Sequence, residues 1–326
     1  MTDSDPVHEL RPGMRAVVRR RIDDGVTDAL GEIEAIDANT VSVRTRHGLE
    51  TIERALVVAA KEVPPRPVRR GAPHLAISMH DLEAITVEGL PPLERGELGG
   101  WLLRAAGGFT CRANSVLPLG DPGMALSEAI QACESWYDQR GLAPQFALFG
   151  PKGFAVGDDP LGRELVARGY LPFKRSAVLT APLTALPPEL PHACGAQVRL
   201  ESTPSPRWWQ AWAAQEGHAA LPASARAVVT GSPDQMFARL EVDGLVIGLA
   251  RIVFAKGWAG VFALHVAPEH RRSGVAGQLM GALGDASRSR GIRSVYLQVL
   301  KPNAPARGLY ERLGFRTHHE YDYLAS

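Results

Sequence analysis

The 326-residue sequence lacks the features typical of membrane, secreted and nucleic-acid-binding proteins. Its first residues, "MTDSDPVHELRPG", are acidic and polar, so they lack the basic and then apolar layout of a signal peptide. No apolar run approaches the roughly 18 residues that cross a bilayer. The formal net charge is only +1, so no global field draws the chain to nucleic acid or to a membrane. We expect a cytoplasmic protein without a membrane or nucleic-acid partner, and its oligomeric state stays open.

Cysteine is also scarce, because only Cys111, Cys133 and Cys194 occur. They are far apart, odd in number and not in a metal-ligand spacing, which predicts reduced thiols rather than a disulfide scaffold. A small buried residue is a more frequent role for such a cysteine than a nucleophile. His318 and His319 resemble a metal pair, but adjacent strand residues point to opposite faces. We therefore expect no metal site.

Two proline-rich passages, at 63–75 and 182–196, favour extended chain and are interpreted as linkers. They divide the sequence into three pieces, which are residues 1–62, 76–181 and 197–326.

The first piece, residues 1–62, contains short alternating runs such as "MRAVVRRRI" and "TVSVRTRHG", separated by turn residues. Closely spaced short strands without helices predict a small SH3-like β-barrel. Three consecutive arginines, Arg19 to Arg21, are a weak sign of a nucleic-acid surface. Because twelve basic and twelve acidic residues balance over residues 1–70, we interpret them as a solvated face.

The third piece, residues 197–326, alternates strand and helix patterns. "WWQAWAAQEGH" predicts a helix with Trp208 and Trp212 one turn apart, either in the core or as walls of an acceptor pocket. Asp243 and Gly244 suit the two-residue turn of a hairpin. Further strands and helices follow, which places this piece in the α/β (α+β) class.

The middle piece repeats parts of this pattern. Residues 137–150 match 287–300, each with a helix end, Arg-Gly-aliphatic and a strand, and residues 165–179 match 310–324 in the same way. Shared capping habits of two α/β units would give a similar likeness. We interpret the match as a diverged internal duplication.

The stretch "EHRRSGVAGQL", residues 269–279, lies between an apolar strand and a helix pattern. The first turn of a helix offers free backbone N–H groups and a positive dipole end. Gly274 and Ala276 leave space beside those amides, and Arg271 and Arg272 can neutralise an anion. The pattern alone is weak because the chain is rich in Arg, Gly and Ala, but its context predicts a phosphate-binding loop.

A second constellation comes from "KPNAPARGLYERLGF". Asn303, Ala306 and Tyr310 lie along one face of a predicted helix that Gly314 ends. A phenol that stays neutral at pH 7 can give a proton to a leaving thiolate. The alternative is that Tyr310 is a core aromatic residue.

With these two motifs in this order, residues 197–326 resemble the GNAT superfamily of acetyl-CoA-dependent N-acetyltransferases. The SH3-like front end and "WLLRAAGGFTCRANSVLPLG" resemble a bacterial subfamily with such a barrel and a degenerate first GNAT half. The resemblance implies a mixed, mainly antiparallel, splayed sheet flanked by helices. It also implies direct acetyl transfer to an amine, and glutamate is one acceptor to consider because some members have been associated with N-acetylglutamate synthesis.

The resemblance also implies roles for individual residues. The loop would hold the CoA pyrophosphate, the preceding strand would pair with pantetheine and polarise the acetyl carbonyl, and Asn303 would steady the cofactor. Tyr310 would protonate the departing thiolate. The implied cofactor-binding set is Leu264, His265, Val266, Arg271, Arg272, Ser273, Gly274, Val275, Ala276, Asn303, Ala306 and Tyr310.

The general base is less well defined by the sequence. His265 on the key strand is a candidate, although a strand histidine is more often a packed, hydrogen-bonded residue than a base. A water relay to solvent is an equal alternative, and Glu216, His218 and Glu241 are further candidates. No cysteine nucleophile is required.

The middle piece departs from the anion-loop pattern, because Asp121 stands where a phosphate site favours arginine. We therefore expect one acetyl-CoA per chain, held in residues 197–326, and the middle piece is structural or lines the acceptor cleft. Arg112 and Asn114 are candidates for that lining, or else they are a buried polar pair of a strand.

Two other functions stay open. One is a CoA-binding regulatory or interaction protein whose barrel recruits a partner, and the other is a protein-lysine acetyltransferase.

Overall fold

The computed structural model describes residues 6–8, 10–12, 14–23, 25–45, 48–63, 73–188, 197–215 and 221–326. Cys194, Glu216, His218 and most of both predicted linkers lie outside these ranges. The chain divides into two compact units, Met1–Gly71 and Ala72–Ser326. Among the described residues, no helix combines the length and the hydrophobicity that crossing a bilayer requires.

The first unit contains one antiparallel sheet of five strands in the order β4-β3-β2-β1-β5. Its strands are β1 (Arg15–Ile22), β2 (Gly25–Ile36), β3 (Thr40–Thr45), β4 (Gly48–Glu53) and β5 (Val57–Glu62). Arg19 donates to Asp28 at 2.7 Å and Arg20 to Glu50 at 3.0 Å, so both arginines have carboxylate partners on their own sheet. This is consistent with a solvated face, and the SH3-like barrel stays a prediction.

The second unit begins with α1 (Pro73–Ala76) and α2 (Met79–Thr86). Its middle half continues with β6 (Glu94–Leu98), β7 (Trp101–Ala105), β8 (Val116–Pro118), α3 (Leu126–Asp138), β9 (Gln145–Gly150), α4 (Pro160–Ala167) and β10 (Leu171–Pro182). The C-terminal half consists of β11 (Val198–Glu201), α5 (Pro206–Gln215), α6 (Ala223–Thr230), β12 (Gln235–Val242), β13 (Leu245–Ala255), β14 (Trp258–Val266), α7 (Val275–Arg288), β15 (Ser294–Leu300), α8 (Ala304–Arg312) and β16 (Arg316–Ala325). The two halves repeat one order of elements, because β6-β7-β8-α3-β9-α4-β10 corresponds to β12-β13-β14-α7-β15-α8-β16.

The eleven strands that the structure describes in this unit form one sheet, in the order β11-β12-β13-β14-β15-β10-β16-β9-β8-β7-β6. Each half therefore gives its last strand to the other half, since β10 pairs with β15 and β16 pairs with β9. The pairs β14–β15 and β8–β9 are parallel, and the other pairs are antiparallel. The mixed, mainly antiparallel sheet that the sequence predicts is confirmed, and the exchange of strands is an addition to that prediction.

The parallel pair β14–β15 separates partway along its length. Pairing runs from Trp258 opposite Ser294 to Val261 opposite Leu297, and the following residues of β14 have no recorded β15 partner among the described residues. Backbone N–H and C=O groups along the open edge of β14 can then bind another extended molecule. The sheet is splayed at this point.

Local sequence signals place the two helices that follow the open strand. Helix α7 buries Val275, Leu279 and Leu283 on one face, as their four-residue spacing predicts. Helix α8 begins at the N-cap Asn303, whose side chain accepts from the Ala306 N–H, and the chain turns at Gly314 with φ of +83°. The predicted start of α8 at Asn303 and its predicted end before Gly314 are confirmed.

Strand exchange makes the last strand part of the core of the middle half. Leu324 of β16 is fully buried in one cluster with Phe146 and Leu148 of β9. We expect Leu324→Ala to lower the free energy of unfolding by about 2–5 kcal/mol, the usual cost of emptying a buried leucine site. Urea unfolding measures this change. Leu171→Ala is the matched control, because Leu171 is 70% exposed and should change stability by less than about 0.5 kcal/mol. Equal stability of both variants would contradict the exchange.

Candidate functional site

A cleft of about 700 Å³ opens where β14 separates from β15, and we call it the loop–helix cleft. Its walls are the open edge of β14, the loop before α7 and the start of α7, and one face of α8. It brings together all but one of the residues in the predicted cofactor set: Leu264, His265, Val266, Arg271, Arg272, Gly274, Val275, Ala276, Asn303, Ala306 and Tyr310. Sequence reasoning missed further lining residues, namely His270, Gly277, Pro305, Leu309 and Arg312.

The loop before α7 has a backbone shape that suits an anion. Arg272 and Gly274 both have positive φ, of +63° and +89°, and Gly274 is the N-cap of α7. Left-handed residues in such a turn direct successive N–H groups to one side, and the helix dipole adds positive potential there. Ser273 is not part of the lining of the cleft, and its hydroxyl donates to the carbonyl of His270 at 2.5 Å. The Ser273 hydroxyl is thus used within the loop, and the contribution of the Ser273 backbone N–H to anion binding stays a prediction.

A β-bulge interrupts β14 beside the cleft. Phe262 lies opposite Arg251 and His265 lies opposite Leu249, so Ala263 and Leu264 share the space of one residue. Ala263 has φ of +52°, which is uncommon for a residue other than glycine and marks a local distortion. The bulge turns backbone groups of this segment away from β13. No local residue pattern indicates this bulge.

The α8 wall carries the predicted amide and phenol. The Asn303 side-chain oxygen is already used as the cap of α8, which leaves its NH₂ group for other partners. Tyr310 is only 8% exposed, and burial raises the pKa of its phenol to about 12. No hydrogen bond joins its hydroxyl to any residue that the structure describes. The phenol is therefore neutral at pH 7 and able to donate.

His265 is half-buried in the same cleft. Burial lowers the pKa of its imidazole, and the positive charge of Arg271 lowers it further. A neutral imidazole at neutral pH can accept a proton. Another base candidate, Glu241, accepts from Arg239 at 2.8 Å and is not a lining residue of the cleft, while Glu216 and His218 lie outside the described residues.

A second cavity, of about 490 Å³, lies on the other side of the bulge, and we call it the aromatic cavity. Arg112 is part of its lining, whereas Asn114 closes the neighbouring turn by accepting from the Ala106 and Gly108 N–H groups at 2.8 and 2.9 Å. Trp208 and Trp212 are buried, as core residues are, and they also line this cavity; their role as walls of an acceptor pocket stays a prediction.

The cysteines follow two patterns. Cys133 is buried, and burial raises the pKa of its thiol to about 12, as for a small core residue. Cys111 lies in the aromatic cavity and accepts from the Lys174 ammonium at 3.3 Å. Neither lines the loop–helix cleft.

The two adjacent histidines do not point to opposite faces, so that argument was wrong. Nδ1 of His318 lies 2.8 Å from Nδ1 of His319. The pairing of β16 with β10 shifts between His319 and Thr317, so His318 is the extra residue of a bulge and its side chain is turned. His319 Nε2 contacts the Glu83 carboxylate at 2.7 Å. Among the described residues, no group of three or more His, Cys, Asp or Glu could hold a metal ion.

The corresponding loop of the middle half is covered by its own chain. The Gly100 N–H donates to the Asp121 carbonyl at 2.6 Å, and the Asp121 carboxylate accepts from the Gly123 N–H at 2.7 Å. A Cβ on Gly100 would lie 2.6 Å from the Cα of Gly120, so the β6–β7 turn packs directly on this loop. A carboxylate in this loop opposes the binding of a phosphate.

Comparisons with known proteins give a consistent result. The family model described as "Probable histone acetyltransferase Rv0428c C-terminal" matches residues 77–324. The probable histone acetyltransferase Rv0428c of Mycobacterium tuberculosis is 30% identical over 321 residues, which cover 96% of this chain and 94% of that protein. The uncharacterized N-acetyltransferase YobR of Bacillus subtilis is 26% identical over 246 residues, covering 74% of this chain and 96% of YobR.

The fold has solved counterparts as well. A GCN5-related N-acetyltransferase from Kribbella flavida superposes with a TM-score of 0.56 at 17% identity, covering 76% of this chain and 95% of that one. This likeness confirms the fold class that is implied by the loop before α7 and by the face of α8 that carries Asn303 and Tyr310. The chain belongs to the family of the Rv0428c C-terminal region and, with it, to the GNAT superfamily of N-acetyltransferases.

Proposed function

We propose that the chain transfers the acetyl group of acetyl-CoA, held in the loop–helix cleft, directly to the amine of a small molecule. The observation that carries this proposal is the meeting of three groups in one cleft: the basic loop, the bulged edge of β14 and the buried Tyr310 phenol.

The residues present suit acetyl-CoA. The cleft volume of about 700 Å³ lies in the range of cofactor sites, and most of its lining is apolar, as a pantetheine arm requires. At the loop end, Arg271, Arg272 and the first amides of α7 offer the charge and the N–H donors that a pyrophosphate needs. Arg312 adds a cation at the α8 side. When bound, acetyl-CoA supplies an acetyl thioester.

The open edge of β14 holds and polarises that group in this proposal. Beyond Val261 the strand has no β15 partner among the described residues, so its backbone can pair with the amides of the pantetheine arm. The bulge at Ala263 and Leu264 interrupts pairing with β13, so a backbone N–H of this segment would be free to donate to the acetyl carbonyl oxygen, where negative charge develops. A fixed donor at that position stabilises the transition state more than the ground state.

Tyr310 serves as the acid. As the amine nitrogen bonds to the carbonyl carbon and the C–S bond breaks, the phenol donates its proton to the departing sulfur. The burial that raises the pKa of the phenol also destabilises a thiolate beside it, which favours this transfer.

His265 serves as the base, directly or through a water molecule. Its lowered pKa keeps the imidazole neutral, so it can take the proton that the amine loses.

One acetyl-CoA binds per chain, in residues 197–326, because the loop of the middle half that corresponds to the loop before α7 contains Asp121 and is covered by its own chain.

An amino acid such as glutamate is a candidate acceptor. The name of the Mycobacterium tuberculosis relative favours a second candidate, a protein lysine. CoA binding without acetyl transfer to any amine or peptide would instead favour a regulatory protein.

Calorimetry with CoA tests the cleft. We expect binding near 1:1, and Arg271→Gln or Arg272→Gln should weaken it by about 10- to 100-fold, since hydrogen bonds to charged groups contribute about 1.5–3 kcal/mol. Arg163→Gln is the control, because this exposed residue lies on α4. Absence of CoA binding to the unmodified chain would overturn the proposal.

Removing the Tyr310 hydroxyl tests the acid. Tyr310→Phe should lower kcat by about 10²–10⁴ while CoA affinity is kept, since the ring still packs against Phe315. Thiol release measures kcat. Tyr170→Phe, in the core of the middle half, should keep kcat although it loses a hydrogen bond to Glu134. An unchanged kcat in Tyr310→Phe would make Tyr310 a packing residue only.

The pH profile tests the base. A histidine whose pKa is lowered stays neutral until the pH falls below its ordinary value near 6.5, so kcat/KM should hold at neutral pH and decline only on the acid side of about 6.5. We expect His265→Gln to lower kcat/KM and to remove this acid limb. His80→Gln, an exposed histidine on α2, should keep it. The same acid limb in His265→Gln would assign the decline to another group.

A further inference from the structure

The aromatic cavity and the loop–helix cleft meet at the β14 bulge. Phe262 and Ala263 line the aromatic cavity, and the next residue, Leu264, lines the cleft. A molecule in the cavity can therefore reach the acetyl group that the proposed function places at the bulge.

Three cations line the cavity at different depths. Arg251 is buried at its base, Arg112 is half-buried on its wall, and Lys174 is exposed at its rim. The lining contains no Asp or Glu among the described residues. Such a cavity has a positive potential that a bound anion would lower.

The base of the cavity is the buried Arg251 guanidinium, which has no carboxylate partner among the described residues. The Arg251 guanidinium donates to neutral acceptors, the Gln235 side chain at 2.8 Å, the Gly89 carbonyl at 2.7 Å and the Ser232 hydroxyl at 2.9 Å. Burial lowers the pKa of Arg251 to about 9. Burying a charge with no opposite charge nearby is costly, and a ligand carboxylate would offset part of that cost.

Lys174 has no carboxylate partner in the described part of the chain, whereas Arg112 also lines a small neighbouring cavity, where Glu83 and Tyr321 stabilise its charge. The Arg112 guanidinium interacts with the Tyr321 phenol. Glu83 is close enough to act on Arg112 electrostatically, but its carboxylate contacts His319 at 2.7 Å and Thr86 at 3.3 Å. Arg104 also lies beside Glu83, so one carboxylate faces two arginines there.

Lys174 is held at the rim by a distortion of β10. Pairing of β10 with β16 is interrupted between Phe173 and Ser176, and Lys174 has φ of +52°. A bulge of this kind re-aims a side chain, and here the ammonium lies 3.3 Å from the Cys111 sulfur in the cavity.

The remaining walls suit the body of an organic molecule. Phe109, Trp212 and Phe262 give apolar surface, and the buried side-chain oxygen of Gln145 has no hydrogen-bond partner among the described residues. An amine N–H would satisfy that oxygen.

We propose that the aromatic cavity is the acceptor site and that the acceptor is a small amine that carries a carboxylate, held by Arg112 and Lys174 above Arg251. This inference rests on the proposed acetyl transfer. The amine nitrogen bonds to the acetyl carbon, the C–S bond breaks, the thiolate takes the Tyr310 proton, and the amine proton leaves through His265 or water. The three cations also make an ammonium ion less stable in the cavity, which favours the free amine that attacks. A lysine-rich protein tail would bring further positive charge to this surface.

Matched acceptors test the charge preference. Thiol release would be measured with L-glutamate and its diamide L-glutaminamide, with L-phenylalanine and its amide, and with a lysine-rich peptide. We expect kcat/KM of at least one acid to exceed that of its amide and that of the peptide by about 10- to 100-fold, the range for losing a hydrogen bond to a charged group. Amides or peptide used as well as the acids would overturn the inference.

Variants link the preference to the named cations. Arg112→Gln and Lys174→Gln should each reduce the ratio of kcat/KM for the acid to kcat/KM for its amide. Lys152→Gln removes an exposed lysine after β9 and should leave the advantage unchanged. An undiminished advantage in both cavity variants would overturn the assignment of these cations. Melting temperature and CoA affinity of each variant show whether it is folded.

A binding measurement separates this inference from the proposed function. Calorimetry would titrate the N-acetyl form of each acid, and the N-acetyl form of its amide, into CoA-saturated protein. We expect binding of at least one acid form that Arg112→Gln weakens, and weaker binding of the amide forms. CoA binding without a preference for the acids contradicts this inference alone, whereas absence of CoA binding contradicts the proposed function.

Discussion

The separation of β14 from β15 is the constraint on which the rest of the site depends. Two parallel strands that pair over only a few residues expose backbone groups that the fold must leave to another molecule. The bulge at Ala263 falls within the same segment, so one stretch of chain offers both an open edge and a redirected N–H. The loop before α7 and the face of α8 close over this edge, because both helices pack on the sheet that carries it.

Opposite sides of the bulge have different chemistry. The loop–helix cleft joins an apolar lining to arginines and helix amides at one end, which suits a long thioester with a phosphate group. The aromatic cavity joins flat apolar walls to three cations without a carboxylate in the described lining. Since the two spaces meet between Ala263 and Leu264, a donor and an acceptor can approach one point from two directions. Direct transfer needs this arrangement and needs no nucleophilic side chain.

The two halves share one order of elements but differ in the residues of their equivalent loops. Both keep the order of strands and helices, and each completes the sheet of the other through β10 and β16. Only the C-terminal half keeps the basic loop, whereas Asp121 and the packed turn at Gly100 occupy the equivalent loop of the middle half. The middle half supplies Arg112 and Lys174 to the aromatic cavity instead. The strand exchange holds these residues in place, because β10 is hydrogen-bonded between two strands of the C-terminal half.

The sequence by itself determined the features that depend on neighbouring residues. The caps of α8, the start of α7 and the fold class follow from local patterns of Asn, Gly, Arg and apolar spacing. The tertiary structure alone decided the features that join distant segments. The bulges at Ala263 and His318 arise from the register between strands, which periodicity does not reveal. The aromatic cavity gathers residues from Leu90 to Ala263, and the positive charge of Arg112, Lys174 and Arg251 becomes one site only when the shared sheet brings them together.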